Sequence, residues 1–250
     1  MNKLNNKYLI GSWIQIGNPE IIEMIIKSGF DFLVIDMEHG SISESDLPGI
    51  FNVFNKSDCI PFVRVAKNDD ILIRRALDLG ARGIIVPSVN SKLDVQKAEN
   101  AIFYPPKGNR GIGFSKANEY GINFKDYFNQ SNSETIFVIQ IENEAAVKKI
   151  DEIFSSNNID AYIIGPYDLS GSMGIVGEFD NPKFLENLHK IKQSAINNKI
   201  KSGIHLVDPI SDNAIKAIKD GYDFIAFSTD ALMIYNAFNK DLKRIKSETS

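Results

Sequence analysis

Two carboxylates, Glu142 and Asp168, each stand just past the C-terminal end of an apolar, β-branched run. The runs are Thr135–Ile141 and Ala161–Ile164, and Ala146, Val147, Ile150 and Ile153 give the segment between them a helical period. Consecutive parallel strands pair at about 4.8 Å, so this βα unit brings both acids to one small site. Carboxylates that close repel unless one is protonated or a cation lies between them. A cation is the reading adopted here, and hard oxygen ligands suit Mg²⁺ or Mn²⁺. The competing reading is that each acid caps the helix that follows it.

Other residue types gather at strand ends in the same way. Asp36-Met37-Glu38-His39-Gly40 follows an apolar run and sets a histidine three residues after an acid. A carboxylate that bonds one imidazole nitrogen fixes the tautomer and raises the basicity of the ring, which makes His39 a general acid or base candidate. Arg64 interrupts the apolar strand PFVRV; a buried guanidinium needs anionic or carbonyl partners, from a substrate or from a neighbouring strand. Gln140 lies two residues before Glu142 and so faces the same way. The backbone N–H groups of Tyr167, Asp168 and the residues after them open a turn that suits a small carboxylate. His205 lies within a strand, and a core histidine is the plainer reading; His189 reads as a helix-face residue. Cys59 reads as a small buried residue rather than a nucleophile.

Positioning these groups takes eight strands that alternate with helices. Beyond the two above, the strands read as Tyr8–Ile16, Phe30–Ile35, Ile60–Val65, Gly83–Val86, Ser202–Leu206 and Tyr222–Phe227. A helix is expected to start at Ser43, with Asp46 three residues on as a capping box. Tyr104–Tyr127, rich in Gly, Pro and Asn, reads as one long connection. Eight βα units in 250 residues favour a closed (β/α)₈ TIM barrel, class α/β, as a single domain over residues 1–250. The alternative, an open doubly wound sheet, lacks a GxGxxG after the first strand. The net charge of −4 is spread along the chain, which argues against a nucleic-acid partner. No run approaches the ~20 apolar residues of a membrane span. The N-terminus lacks the apolar region of a signal peptide, and a single cysteine agrees with a cytoplasmic setting.

Taken together, GSWIQIGNPE, FDFLVIDMEHG, PFVRV, LDLGARGIIVPSVNS, YPPKGNRGIG, IQIE and GPYDLSGSMG, in this order and spacing, resemble the HpcH/HpaI aldolases. These are metal-dependent class II pyruvate aldolases with a barrel of the phosphoenolpyruvate/pyruvate-domain type. The resemblance implies reversible cleavage of a 4-hydroxy-2-oxo acid to pyruvate, or a related 2-oxo acid, and an aldehyde. It implies a divalent metal (Mg²⁺ or Mn²⁺, with Co²⁺ an option) on Glu142 and Asp168. It makes His39 the base with Asp36 as its orienting acid, and sets Arg64 on the keto oxygen. Gln140, the backbone of Tyr167 and Asp168, and His205 then line the 2-oxo acid. A swapped last helix and a homohexamer, a trimer of dimers, are also implied. Three departures stand out. Phe114–Glu119 replaces arginines on the loop that the resemblance puts on the aldehyde side. His205 replaces an apolar residue beside the pyruvate methyl. Ser228 replaces a glycine. Two rivals are an acyl-CoA-ester lyase, whose CoA would call on Lys107, Arg110 and Lys116, and a non-catalytic keto-acid or sugar binder. A Schiff base on Lys67 is a minor option.

Overall fold

The computed structural model describes residues 4 and 7–249. Its eight strands close in chain order into a parallel barrel. The first half runs β1 Leu9–Ile14, α1 Pro19–Lys27, β2 Phe32–Asp36, α2 Leu47–Asn52, β3 Ile60–Arg64, α3 Asp70–Leu79, β4 Gly83–Val86 and α4 Lys92–Ile102. A 3-10 helix, Lys116–Gly121, and α5, Phe124–Glu134, follow. The second half runs β5 Ile136–Ile141, α6 Glu144–Lys148, α7 Ile150–Ile153, β6 Ala161–Ile164, α8 Pro166–Ser172 and α9 Pro182–Asn198. It ends with β7 Lys201–Leu206, α10 Ser211–Lys219, β8 Phe224–Thr229 and α11 Asp230–Thr249. No helix among the described residues is long and apolar enough to cross a membrane.

Local chemistry explains the boundaries. Asn18 accepts the Glu20 and Ile21 N–H groups ahead of Pro19 and so starts α1. Asp69, Ser91 and Asn181 cap α3, α4 and α9 in the same way. Three expectations are corrected. Ser43 and Asp46 close a local turn rather than a capping box, and α2 starts at Leu47. The connection after Tyr104 is broken by helices, α5 among them. One helix between β5 and β6 is two, divided at Lys149, whose φ of −117° interrupts the helical run.

Two layers of apolar packing hold the frame. Outward-facing residues such as Leu33, Ile35, Val63 and Ile84 meet the helices. Inward-facing Trp13, Phe32, Val34, Phe62, Val138, Ile163 and Phe224 fill the interior. Phe32 stacks on Phe224 with centroids 4.3 Å apart, and Phe62 meets both edge-on at 5.5 Å. Room for these rings comes from Gly11 and Gly83: a Cβ on either would run into Phe32 or Phe62. Barrel interiors pack in layers of this kind. Above the aromatic floor the same alternation turns Asp36, Arg64, Gln140 and His205 inward near the C-terminal strand ends.

Candidate active site

A cavity of about 320 Å³ opens at the C-terminal end of the barrel, lined by Trp13, Gln15, His39, Arg64, Gln140, Gly165–Asp168 and His205, among others. A larger hollow of about 550 Å³ lies at the opposite end, against Cys59, Pro61 and Arg82. Ligand sites of barrels are built at the C-terminal face, so the smaller cavity is the candidate. Burial pushes the Cys59 thiol up to about 12, so it carries no thiolate near neutral pH.

Asp36 and Arg64 end paired strands and stand in register. The guanidinium grips Asp36 with two bonds, Nη2–Oδ2 at 2.8 Å and Nε–Oδ1 at 3.0 Å. Burial would raise the Asp36 carboxyl. The Arg64 bonds and charge, with the backbone N–H groups of His39 and Glu38, outweigh that and hold it below its ordinary value. Arg64 Nη1 lies 3.0 Å from Glu38 Oε2 and 3.5 Å from Gln140 Oε1. The guanidinium carbon sits 4.3 Å above the Trp13 ring. The buried cation is thus fixed on several sides.

His39 is where the sequence reading needs correction. Asp36 receives the backbone N–H of His39 at 3.2 Å, not its ring. A spacing of three residues in this tight turn directs the amide at the carboxylate and leaves the imidazole at the rim, 65% exposed. The acid nearest the ring is Glu38, whose Oε2 lies 4.0 Å from Nε2. Burial raises the Glu38 carboxyl; Arg64 opposes this and Glu142 adds to it.

Glu142, Asp168 and Gln140 converge over Gly165. A methyl group there would stand 3.2 Å from Asp168 Oδ2, 3.2 Å from Gln140 Nε2 and 3.5 Å from Glu142 Cβ. Gln140 donates to Glu142 Oε2. Ser88 donates its backbone N–H (2.6 Å) and its hydroxyl (3.1 Å) to Glu142 Oε1. Ser88 holds a φ of 56° just past β4, a conformation uncommon for a non-glycine residue. No cluster of three or more His, Cys, Asp or Glu ligands occurs among the described residues. The Asp168 carboxylate and the Glu142 side chain flank a bare glycine, and two such acids would suit a hard cation that keeps waters or substrate oxygens in its other positions, as Mg²⁺ does.

The remaining candidates fall into place around this core. Tyr167 and Asp168 open α8 at the cavity edge, and both are exposed. His205 faces inward on β7 and lines the cavity, so it is no ordinary core histidine. Ser228 has a φ of 57°, a conformation that favours glycine. No residue of the 114–119 segment lines the cavity. Lys116 donates to the Pro48 carbonyl at 2.9 Å, and Lys116, Ala117 and Glu119 line the hollow at the other end of the barrel. Trp13, Gln15 and Ser88 had been given no role. Trp13, the chain's one tryptophan, shares the inward parity of Gly11, a usable signal. For Ser88 the sequence offers none, because a positive φ leaves no mark on a serine.

Comparison with known proteins bears on the fold and the family. The family model described as HpcH/HpaI aldolase/citrate lyase matches residues 9–237. The 2-dehydro-3,6-dideoxy-6-sulfogluconate aldolase of Pseudomonas putida is 33% identical over 239 residues, 95% of this chain and 92% of that one. The 5-keto-4-deoxy-D-glucarate aldolase of Escherichia coli O157:H7 is 32% identical over 232 residues, 92% of this chain and 90% of that one. The crystal structure of an HpcH/HpaI aldolase/citrate lyase family protein from Burkholderia cenocepacia J2315 is similar at a TM-score of 0.92, with 25% identity over 98% of this chain and 97% of that one. With the barrel closed in chain order and these likenesses spanning nearly its whole length, the chain belongs to the HpcH/HpaI aldolase/citrate lyase family.

Proposed function

We propose that this protein is a divalent-cation-dependent aldolase that reversibly cleaves a 4-hydroxy-2-oxo acid to pyruvate, or a related 2-oxo acid, and an aldehyde. The observation that carries the reading is the convergence of Asp168, Gln140 and the Glu142 side chain on Gly165, at the cavity that Asp168, Gln140 and Arg64 line. Two aldolases at 33% and 32% identity support it.

When bound at Glu142 and Asp168, the cation supplies Lewis-acid stabilisation of negative charge on the keto oxygen. Arg64 stabilises the same developing charge from a fixed position, since Asp36 and Trp13 hold it in place before substrate arrives. The first-turn amides of Tyr167 and Asp168 hold the substrate carboxylate. His39, exposed at the rim beside Glu38, takes and returns the proton, directly or through water. Lys67 is 71% exposed, lies 3.5 Å from Asp69 and is not part of the cavity wall, which leaves imine chemistry without support. The CoA reading fares no better. Lys107 donates to the Asn132 carbonyl and Lys116 to that of Pro48, and Arg110 is buried on Asp78 at 2.6 Å.

The test is pyruvate release from a panel of 4-hydroxy-2-oxo acids. EDTA should abolish it, and Mg²⁺ or Mn²⁺ should restore it. Glu142→Ala should lose both turnover and metal binding by calorimetry, whereas His39→Ala should lose turnover and keep the metal. A covalent adduct trapped by borohydride with pyruvate would overturn the metal reading.

We propose further that the chain works as an assembly of its own copies, a homohexamer built from dimers. Supporting this, Tyr235, Phe238, Leu242 and Ile245 form a stripe on α11, each exposed by 50% or more. Ile112, Phe114, Tyr120 and Ile122 form a second exposed apolar group.

A further inference from the structure

Two ring nitrogens on the wall built by β1 and β7 have no hydrogen-bond partner. They are Nε1 of Trp13 and Nε2 of His205, both shielded from solvent. The rings lie 5.1 Å apart, tilted by 59°, and both line the cavity that holds Arg64 and Gln140. An indole N–H can only donate. The imidazole bonds the backbone of Ser228, and since Nε2 is the unpartnered nitrogen, Nδ1 makes that bond. Nδ1 therefore carries the proton, and Nε2 offers a lone pair. Burial, helped by the Arg64 charge, pulls the imidazole down to about 3, so the ring stays neutral across the physiological range. The wall thus presents one unused donor and one unused acceptor side by side. Buried polar groups left unpaired are costly. A single hydroxyl, which donates one bond and accepts another, satisfies both. The methyl group of pyruvate satisfies neither.

We propose that the 2-oxo acid used here as carbon nucleophile bears a hydroxyl on C3, held between His205 Nε2 and Trp13 Nε1. Hydroxypyruvate is the simplest such acid. This inference rests on the aldolase reading and narrows its substrate. The carboxylate and keto oxygens of the acid go to Arg64, to the first-turn amides of Tyr167 and Asp168, and to the cation that Glu142 and Asp168 would hold, which leaves C3 to the aromatic wall. One C3–H bond breaks and its proton leaves through His39 or water. C3 then bonds the aldehyde carbon, and the aldehyde oxygen takes up a proton. The product is a 3,4-dihydroxy-2-oxo acid, with no net oxidation or reduction.

The test compares hydroxypyruvate with pyruvate in Mg²⁺-loaded enzyme, with glycolaldehyde as the fixed acceptor. The readouts are the kcat/KM ratio and, without aldehyde, the ratio of Kd values by calorimetry. We expect the wild type to favour hydroxypyruvate by about tenfold, equal to about 1.4 kcal/mol. His205→Leu and Trp13→Phe should each collapse both ratios, and His205→Gln, which retains an acceptor, should preserve much of the preference. The two positions report independently, so misfolding of one variant leaves the other to decide. Turnover of both acids with a wild-type ratio of one or less, or ratios that move by less than twofold in the variants, overturns this inference alone. Turnover of neither acid with any aldehyde overturns the aldolase reading as well.

Discussion

Arg64 owes its fixed place to Asp36, whose side chain is almost wholly buried beneath it. Removing the cation leaves that carboxylate without its partner, and such losses cost about 3 kcal/mol or more. Arg64→Ala is therefore expected to lower stability by about that amount in urea titrations. Arg64→Lys keeps the charge but loses the two-pronged grip and the stacking on Trp13. It should fold and yet lower kcat/KM for pyruvate release about 100-fold, in the range seen when a preorganised oxyanion donor is removed. A near-wild-type rate for the lysine variant would show that charge alone suffices. His205 has a separate signature. In the unfolded chain an imidazole takes its proton near pH 6.5, while in the fold this one does so only near 3. Between those values the unfolded chain binds the extra proton, so stability declines as pH falls from about 6.5 toward 3 and is unaffected above. His205→Leu should lose less stability than the wild type between pH 7.5 and 4.5. Equal losses would mean that the ring titrates as it does in water.

Each strand owes its place to what the neighbouring strand leaves empty. Gly83→Ala forces a methyl against the Phe62 ring at the barrel floor. Overpacking of this kind costs about 1–3 kcal/mol, and the denaturation midpoint should fall accordingly. An unchanged midpoint would show that the aromatic cluster yields freely. This floor also explains what was legible in the sequence. Strands buried on both faces appear as apolar runs, so polar Asp36, Arg64, Gln140 and His205 stood out against them. The acids just past β5 and in the first turn of α8 were readable by the same logic. α5 was not, because Phe124–Glu134 buries only Ser131 and so shows little apolar period. The pairing of Asp36 with the His39 ring failed for a different reason. Spacing along a turn fixes which residues are close, but not whether the amide or the side chain does the touching. Ser88 was illegible because its contribution lies in a backbone angle.

At the scale of the whole molecule, α11 lies largely off the barrel and buries only Asp230. Along α11 the residues Tyr235, Phe238, Leu242 and Ile245 are exposed, an arrangement that water disfavours and a second copy of the chain would cover. Replacing Phe238 and Leu242 together with glutamate should shift sedimentation toward smaller species while the far-ultraviolet signal of the barrel is kept. An unchanged sedimentation profile would remove α11 from the interface. Asp230, the first residue of that helix, gives this geometry a wider reach. Its two carboxylate oxygens accept the Gln15 and Ile16 N–H groups at 2.9 and 3.0 Å, and the Gln15 side chain lies 3.4 Å from Asp36. A single carboxylate thus pegs the root of α11 to Gln15, whose side chain reaches the Asp36 that anchors Arg64. Were a second copy to dock on α11 as proposed, its pull would reach the cavity through two short links, Asp230 to Gln15 and Gln15 to Asp36.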